Sequence, residues 1–194
     1  MLLYVLEQSV SRREKMVAKK LVLSYELAWR TENDKKFMKT AEWKNIRKKI
    51  LERDNYSCQY CNVQRKDHMQ INHIDGNPKN HSDENLEVIC SSCHKITHSG
   101  LWVTVFNILD VYEESKYDQN EIVRITGKMR DEGKYDEEII KFLGLKKLVP
   151  WKQDLEYLSK LYGFITSRKI TKKNYGVTLT EHVQQESLKN RDNW

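Results

Sequence analysis

The chain has 194 residues, of which 32% are charged, and its formal net charge at pH 7 is +6. A chain of this length can hold one or two small domains, and it has no apolar run near the roughly 18 residues that a membrane-spanning helix needs. The apolar start MLLYVLEQ lacks the basic segment and the small-residue cleavage site of a signal peptide. We therefore predict a cytoplasmic protein, and its positive charge favours a polyanionic partner.

Residues 1–39 are predicted to form an N-terminal helical region. Between Ser9 and Trp29, apolar or small residues recur every three or four positions, which is typical of an amphipathic helix. These residues are Val17, Leu21, Ser24 and Ala28. The basic face of this helix could contact nucleic acid, or it could simply be solvated. Residues 31–39, TENDKKFMK, are predicted to be a polar linker.

The next predicted element is a basic helix that begins after Thr40, which can cap it. Trp43, Ile46 and Ile50 form one apolar stripe. Residues 35–53 include eight Lys or Arg residues and two Glu residues, and clustered positive charge is what phosphate contacts need. We predict that this helix holds a nucleic-acid backbone, although a solvated face would have the same composition. The predicted contact residues are Lys44, Arg47, Lys48 and Arg53.

All four cysteines occur in two Cys-x-x-Cys pairs, Cys58 with Cys61 and Cys90 with Cys93. In a reducing compartment such pairs favour a metal site over disulfides. Four thiolates at these spacings predict one closed, tetrahedral, structural Zn²⁺ site. Disulfide bonds are the weaker alternative, because closely spaced pairs with interleaved histidines are a poor disulfide framework.

The segment between and after the cysteine pairs is predicted to fold as strand, loop, strand and helix. The strands are Gln70 to Asn72 and Leu86 to Ile89, and residues 75–78 have a strong turn composition. A helix is predicted from Ser91 to His98. Its two histidines are four residues apart, so their side chains would lie on one face and could converge on a single ion.

Residues 101–194 are predicted to form a C-terminal helical region. Apolar residues at helical spacing predict helices over 101–112, 122–133 and 136–144, and a further helix is predicted over 150–163. The sequence GLKKLV joins the last two, so they could form a helix-turn-helix, or equally a small helical bundle without groove contact. The basic tail that follows could lie along phosphates.

Read in chain order, the polar residues of the central segment form a series with specific spacing. The series is Cys58-x-x-Cys61, Asn72-His73-Ile74-Asp75-Gly76-Asn77, Asn85-Leu86 and Cys90-x-x-Cys93-His94. It closely resembles the HNH nucleases, whose core is called the ββα-metal fold. The resemblance implies an α+β, mostly helical protein. Residues 40–100 would form a nuclease domain with a ββα-metal core and a structural zinc knuckle, between an N-terminal helical region and a C-terminal helical domain.

The same residues allow phosphodiester hydrolysis, which needs an activated water and stabilisation of the phosphoryl and leaving oxygens. His73 is the candidate general base, because a neutral imidazole can take a proton from water near pH 7. The side-chain carbonyl of Asn85 is placed to hold the other ring nitrogen of this histidine. A divalent ion bound by His94 and by the side-chain oxygen of Asn72 could stabilise the transition state. His98 could add a ligand or contact the phosphate.

The resemblance assigns the same roles to His73 as base, Asn85 as its orienting partner and His94 as a metal ligand. The family commonly has Asp or His before the base, where this chain has Asn72. A neutral amide is a weaker ligand for a hard cation than a carboxylate, and Asp75 could compensate. The ion could be Mg²⁺, Mn²⁺, Ni²⁺ or Zn²⁺, and imidazole ligands favour the transition metals.

Three functions stay open from the sequence. The first is a metal-dependent endonuclease that cuts double-stranded DNA, of the restriction, phage, mobile-element or defence kind. The second is a non-catalytic zinc module that binds nucleic acid. Binding alone would not require His73 to be paired with Asn85 and His94. The third is a ribonuclease, although nothing in the sequence favours a 2′-hydroxyl contact. His68 and His81 are interpreted as surface loop residues.

Overall fold

The computed structural model of the protein describes residues 18–24 and 32–169. The rest of the predicted N-terminal helix and the predicted tail after residue 169 lie outside the described residues. Within these ranges the chain mixes helices and strands. The helices are α1 (Glu32–Phe37), α2 (Ala41–Arg53), α3 (Ser91–Thr97), α4 (Ser99–Thr104), α5 (Gln119–Asp131), α6 (Asp136–Leu143) and α7 (Leu155–Leu158). The strands are β1 (Gln70–His73), β2 (Leu86–Ile89), β3 (Leu109–Glu114), β4 (Lys146–Val149) and β5 (Tyr162–Ile165).

Residues 18–24 are not helical, so the predicted helix over 9–29 is wrong in this part. Leu21 and Leu23 are both buried while the residue between them is exposed, which is the period of an extended segment. The backbone amide of Leu21 donates to the side-chain oxygen of Asn120 at 2.9 Å. A partner far along the chain therefore replaces the hydrogen bond within a helix.

Helix α1 occupies most of the segment that was predicted to be a linker over 31–39. Lys35 and Lys36 are good helix formers, and the ring of Phe37 gives α1 an apolar contact with the core. Helix α2 follows the prediction closely, since the Thr40 hydroxyl accepts from the backbone amide of Trp43 at 3.2 Å. Trp43 and Ile50 are buried, so the stripe predicted from the sequence packs inward.

The two strands predicted around the loop are β1 and β2, and they pair in an antiparallel hairpin in which Gln70 pairs with Ile89 and His73 with Leu86. The 3-10 turn Asp83–Asn85 lies just before β2, and α3 starts two residues after β2 ends. All four residues of β2 are buried. Both faces of β2 are therefore covered by the rest of the chain.

The C-terminal half departs from the helical prediction, because β3, β4 and β5 form an antiparallel sheet in the order β4-β3-β5. Helix α4 ends at Thr104, and the chain turns at Asn107, which has a φ of 49°. Strand β3 then buries Leu109 and Val111 on one face. Pairing with two other strands overrides the helical spacing of the apolar residues in this region.

The predicted helix-turn-helix is wrong for the same reason. The GLKKLV segment is mostly strand β4, and the helix expected over 150–163 is reduced to α7, since β5 begins at Tyr162. Helices α5 and α6 are confirmed. Asp118 and Glu121 form a capping box at the start of α5, and Gly144 ends α6 with a φ of 65°, which favours glycine.

One apolar core joins the two halves of the described chain. It contains buried residues of the extended segment 18–24, of α2, the hairpin and α3, and of β3 and α5. Packing against this core fixes α3 between the hairpin and the C-terminal sheet. No helix in the described ranges has both the length and the apolar character needed to cross a membrane.

Two glycines offer a paired test of this packing. A Cβ added to Gly163 in β5 would lie 2.7 Å from Leu23 and 3.1 Å from Ile96, whereas one added to Gly127 in α5 would meet nothing within 4 Å. We expect Gly163→Ala to lower the free energy of unfolding in urea by about 1–3 kcal/mol through overpacking. Gly127→Ala should raise it by about 0.5–1 kcal/mol. Equal effects of the two substitutions would contradict the close contact between β5 and residues 18–24.

Candidate functional site

The four predicted zinc cysteines form one cluster. Their sulfur atoms lie within 4.8 Å of one another, and the sulfurs of Cys61 and Cys90 are 3.7 Å apart. Four sulfurs about 2.3 Å from one tetrahedral Zn²⁺ would be separated by about 3.8 Å. The four cysteines are thus positioned to bind one metal ion, and their chemistry and spacing fit structural zinc.

Local backbone geometry builds the two halves of this cluster. The backbone amide of Cys58 donates to the carbonyl of Val63 at 2.9 Å, and Asn62, with a φ of 58°, closes the tight turn between them. In the second half, the sulfur of Cys90 accepts from the amide of Cys93 at 3.4 Å and caps α3. The second knuckle therefore fixes the start of α3, which carries His94 and ends just before His98.

The cluster has the electrostatics of a cation site. Hydrogen bonding with Cys58, Cys61 and Cys90, together with burial, raises the pKa of the Cys93 thiol. A fourth negative sulfur is disfavoured among three others in a buried position. Four thiolates would coexist here only around a cation, whose charge offsets their repulsion.

A second group of predicted residues lines one cavity of about 680 Å³. Asn72 and His73 reach it from β1, and His94 and His98 reach it from the α3 segment. All four were singled out from the sequence as a candidate base or as metal ligands. The fold therefore brings them to a common space, and their chemical roles stay predictions.

His94 and His98 face each other across one turn. Their Nε2 atoms are 3.0 Å apart, and the Nδ1 atom of His94 lies against the side-chain oxygen of Gln70. Since that oxygen accepts, the proton of a neutral His94 stays on Nδ1 and its Nε2 lone pair faces His98. Two nitrogens about 2.1 Å from one ion and at a right angle would be about 3.0 Å apart. The pair can therefore share one proton or one cation.

Asn72 is buried and is held by an acid that the sequence analysis did not single out. Its Nδ2 donates to Oε1 of Glu87 at 2.9 Å, and the two residues are direct partners in the β1-β2 register. Glu87 is 1% exposed. Burial and the hydrogen bond to Glu87 also raise the pKa of Tyr60, so its hydroxyl stays a donor to the carboxylate.

His73 lies in an aromatic cluster. Its ring stacks on that of Trp43, with centroids 6.0 Å apart and an angle of 13° between planes. His81 lies 5.6 Å from His73 and stacks on Phe37 at 4.4 Å. His81 lies in a loop, as predicted, but its half-buried ring packs between α1 and the candidate base. His68 is exposed, as predicted.

Asn85 anchors the loop that follows β1. Its side-chain oxygen accepts from the amide of Asp75 at 3.0 Å, and its Nδ2 donates to Oδ1 of Asp75 at 2.8 Å and to the carbonyl of Asn80. Burial raises the pKa of Asp75, but hydrogen bonds from Asn80, Asn77 and Asn85 lower it by more. The nearby His73 lowers this pKa further, so the net change is a lowering. The carboxylate is therefore ionised at neutral pH beside His73.

Three cationic side chains line the same cavity. They are Lys35 of α1, and Lys44 and Arg47 of α2. Arg47 is half-buried and donates to the carbonyl of Met69 at 2.7 Å, which holds its guanidinium near the start of β1. Positive charge thus borders the space that the histidines share.

The other two predicted nucleic-acid contacts have different surroundings. Lys48 is exposed, and its ammonium lies 3.8 Å from Glu52 on the same helix. Arg53 donates to its neighbour Asp54 and to the backbone carbonyls of Asp83 and Leu86. This arginine ties the end of α2 to β2, so its guanidinium is held by acceptors of the protein itself.

Three residues of this region were not among the site residues predicted from the sequence. Gln70 shares a strand face with Asn72, two residues away, and the strand period alone could have placed it beside the site. Glu87 is a charged residue within the otherwise apolar β2, which is an unusual position for an unpaired acid. His81 gave no local signal, because its contacts depend on how α1 packs.

Comparison with known proteins gives a limited match. No family model matches this chain. The chain is similar to the Zorya protein ZorE of Escherichia coli, with 37% identity over 67 residues. The match covers 32% of this chain and 18% of the Escherichia coli protein. The similarity is therefore confined to one part of each protein.

Proposed function

We propose that this chain is a metal-dependent endonuclease of the HNH type that hydrolyses phosphodiester bonds in DNA. The observation that carries the proposal is the common cavity of His73 and the pair His94 and His98. A base and an ion site that open on one space can act on one phosphodiester bond. Cationic side chains border this space, which suits a polyanionic substrate.

His73 would act as the general base. A neutral imidazole accepts the proton of the attacking water, and its ordinary pKa near 6.5 suits this step at neutral pH. Stacking on Trp43 restricts the plane of the ring. The side-chain oxygen of Asn85 has a second lone pair besides the one used by the Asp75 amide, and in our proposal it orients the imidazole. The ionised Asp75 would stabilise the protonated ring after the transfer.

His94, His98 and the side-chain oxygen of Asn72 would hold the catalytic cation. The 3.0 Å separation of the two Nε2 atoms and the outer hydrogen bond from His94 to Gln70 fit a divalent ion, because ligating histidines usually donate their second ring nitrogen to an acceptor. Such an ion, when bound, supplies charge stabilisation for the phosphoryl and leaving oxygens. The remaining coordination positions of this ion would have to stay open for water and phosphate.

The remaining parts of the site would position the substrate. Lys44 and Arg47 on α2, with Lys35 on α1, line the cavity and would neutralise backbone phosphates there. Contacts of this kind fix the register of the nucleic acid without reading its sequence. The cysteine cluster keeps α3 against the hairpin, and His94 directly follows the ligand Cys93. In this proposal the zinc holds the scaffold and takes no part in the chemistry.

A plasmid assay tests the proposal. Zinc-loaded protein is incubated with supercoiled DNA and with Mg²⁺, Mn²⁺ or Ni²⁺, and nicked and linear products are quantified. We expect metal-dependent cleavage that falls by about 100-fold in His94→Ala, in line with the loss of a metal ligand or its support. His68→Asn is the matched control, because His68 is exposed and asparagine tolerates its φ of 64°.

The same assay separates the competing functions. Binding of DNA without any product in all three metals, over a range of salt concentrations, would replace the nuclease by a binding module. Faster cleavage of a single-stranded or structured RNA than of DNA would replace it by a ribonuclease. Equal cleavage by wild type and His94→Ala would identify a contaminant or a different active site.

A further inference from the structure

We propose that Glu87 is a positioning residue that turns the side-chain oxygen of Asn72 toward the cavity and so makes Asn72 a ligand of the divalent ion. This inference rests on the proposed function, because it concerns the same ion site. It assigns Glu87 no contact with the substrate. It also accounts for the amide at a position where the HNH resemblance leads us to expect Asp or His.

The burial of Glu87 requires an explanation. Its side chain is 2% exposed and lies between two fully buried neighbours in β2, Leu86 and Val88. A buried carboxylate is costly unless it is paired and hydrogen-bonded. Glu87 meets this need through Lys19, whose ammonium lies 2.5 Å from Oε2, and through the hydroxyl of Tyr60, which donates to Oε1 at 2.7 Å. Such a network holds the carboxylate in one orientation.

This fixed carboxylate determines how the amide of Asn72 lies. An ionised carboxylate only accepts hydrogen bonds, so the group of Asn72 that faces Oε1 at 2.9 Å must be the amino group. The side-chain oxygen of Asn72 is then directed away from Glu87 and is available to a ligand. Asn72 also lines the cavity that contains His94 and His98. A reversed amide would present N–H donors to a cation and would repel it.

The same contact explains why an amide stands at position 72. A carboxylate there would lie at hydrogen-bond distance from the buried carboxylate of Glu87, and two such charges would repel each other. An amide satisfies Glu87 with its amino group and still offers one oxygen to an ion. The pair of Asn72 and Glu87 thus supplies one neutral oxygen ligand with a negative charge directly behind it.

Glu87 also connects the two sites of the protein. Tyr60 belongs to the first cysteine knuckle, between Cys58 and Cys61, and its hydroxyl binds Glu87. The chain of contacts therefore runs from the knuckle through Tyr60 and Glu87 to Asn72. Displacing the knuckle would disturb the orientation of Asn72 as well as the fold.

The test is a double-mutant cycle of Asn72→Asp, Glu87→Gln and the double variant, in which calorimetry measures binding of Mn²⁺ to the full, zinc-loaded chain. We expect Glu87→Gln to weaken Mn²⁺ binding by roughly 10–100-fold, the usual effect of losing a partner of a metal ligand. In the double variant Asn72→Asp with Glu87→Gln, the new glutamine can donate to one carboxylate oxygen while the other faces the cavity. This variant should bind Mn²⁺ within about threefold of wild type or more tightly, since a carboxylate is the stronger ligand.

Glu84→Gln is the matched control, because Glu84 is exposed in the turn before β2, and it should leave Mn²⁺ affinity unchanged. Circular dichroism and zinc content report whether each variant is folded. If Glu87→Gln fails to fold, Tyr60→Phe removes one hydrogen bond from the carboxylate and should weaken Mn²⁺ binding by severalfold. Wild-type affinity in the folded Glu87→Gln protein, or in Tyr60→Phe if it must be used instead, would overturn the proposal.

The outcomes also separate this inference from the proposed function. A double variant that binds no better than Glu87→Gln would show that the two residues are not coupled and would overturn the inference. Absence of a second ion in the zinc-loaded wild type would overturn it too. If Mn²⁺ binds and responds to Glu87 as expected but no DNA is cut, the nuclease proposal fails while the positioning role of Glu87 stands.

Discussion

Replacing Cys58 by serine is expected to lower the midpoint of thermal unfolding by roughly 8–16 °C. Loss of a metal site costs about 4 kcal/mol or more, and each kcal/mol shifts the midpoint by about 2–4 °C in a chain of this size. Cys58 is fully buried among the other three sulfurs, where a hydroxyl cannot replace a thiolate. A structural metal contributes directly to the folding free energy of the segment that it closes, here the loop between α2 and β1.

Differential scanning calorimetry and zinc content measure this effect. Ser92→Ala is the matched control, because Ser92 lies between Cys90 and Cys93 but is exposed, and it should unfold like wild type. Chelation of the metal should reproduce the effect of Cys58→Ser. An unchanged midpoint together with an unchanged zinc content would show that the cluster is not a structural metal site.

Replacing His73 by alanine is expected to reduce metal-dependent DNA cleavage by about 10²–10⁴-fold, the usual contribution of a general base. The fold should survive, because His73 is half-buried and its ring contacts Trp43 and His81 at the edge of the cavity. Mn²⁺ affinity should also survive, since the proposed ligands are Asn72, His94 and His98. This combination distinguishes a base from a ligand.

Single-turnover cleavage rates, thermal midpoints and Mn²⁺ titrations of the same preparations provide the comparison. His94→Ala should lose both cleavage and Mn²⁺ binding, whereas His73→Ala should lose cleavage alone. If His73→Ala weakened Mn²⁺ binding as strongly as His94→Ala, His73 would be a ligand and another group would have to take the proton.

The zinc cluster, the hairpin and the helix with the two histidines could be predicted because their signals are local. Two Cys-x-x-Cys pairs specify tetrahedral ligands whatever surrounds them. The turn composition around Asp75 and the short apolar strands fixed the order of β1 and β2. The cap at Thr40 and the stripe on α2 likewise depend on neighbours within a few residues.

The C-terminal sheet could not be predicted in this way. Apolar residues of β3 and of the segment before β5 have spacings that also suit helices, and short apolar runs do not distinguish the two. Strand β3 lies between β4 and β5, so its conformation depends on partners that are more than 30 residues away. The extended segment 18–24 was misassigned for the same reason, because its amides bond to distant side chains.

The sequence by itself determined the thiolate site and the identity of the residues that could carry the chemistry, since both follow from residue type and short spacing. Only the tertiary structure decided that His73 shares a cavity with His94 and His98, and that Glu87 lies behind Asn72. Those relations depend on strand register and on packing between distant segments. A buried charge such as Glu87 is stable only where the fold supplies its partners, and Lys19 and Tyr60 are 68 and 27 residues away along the chain.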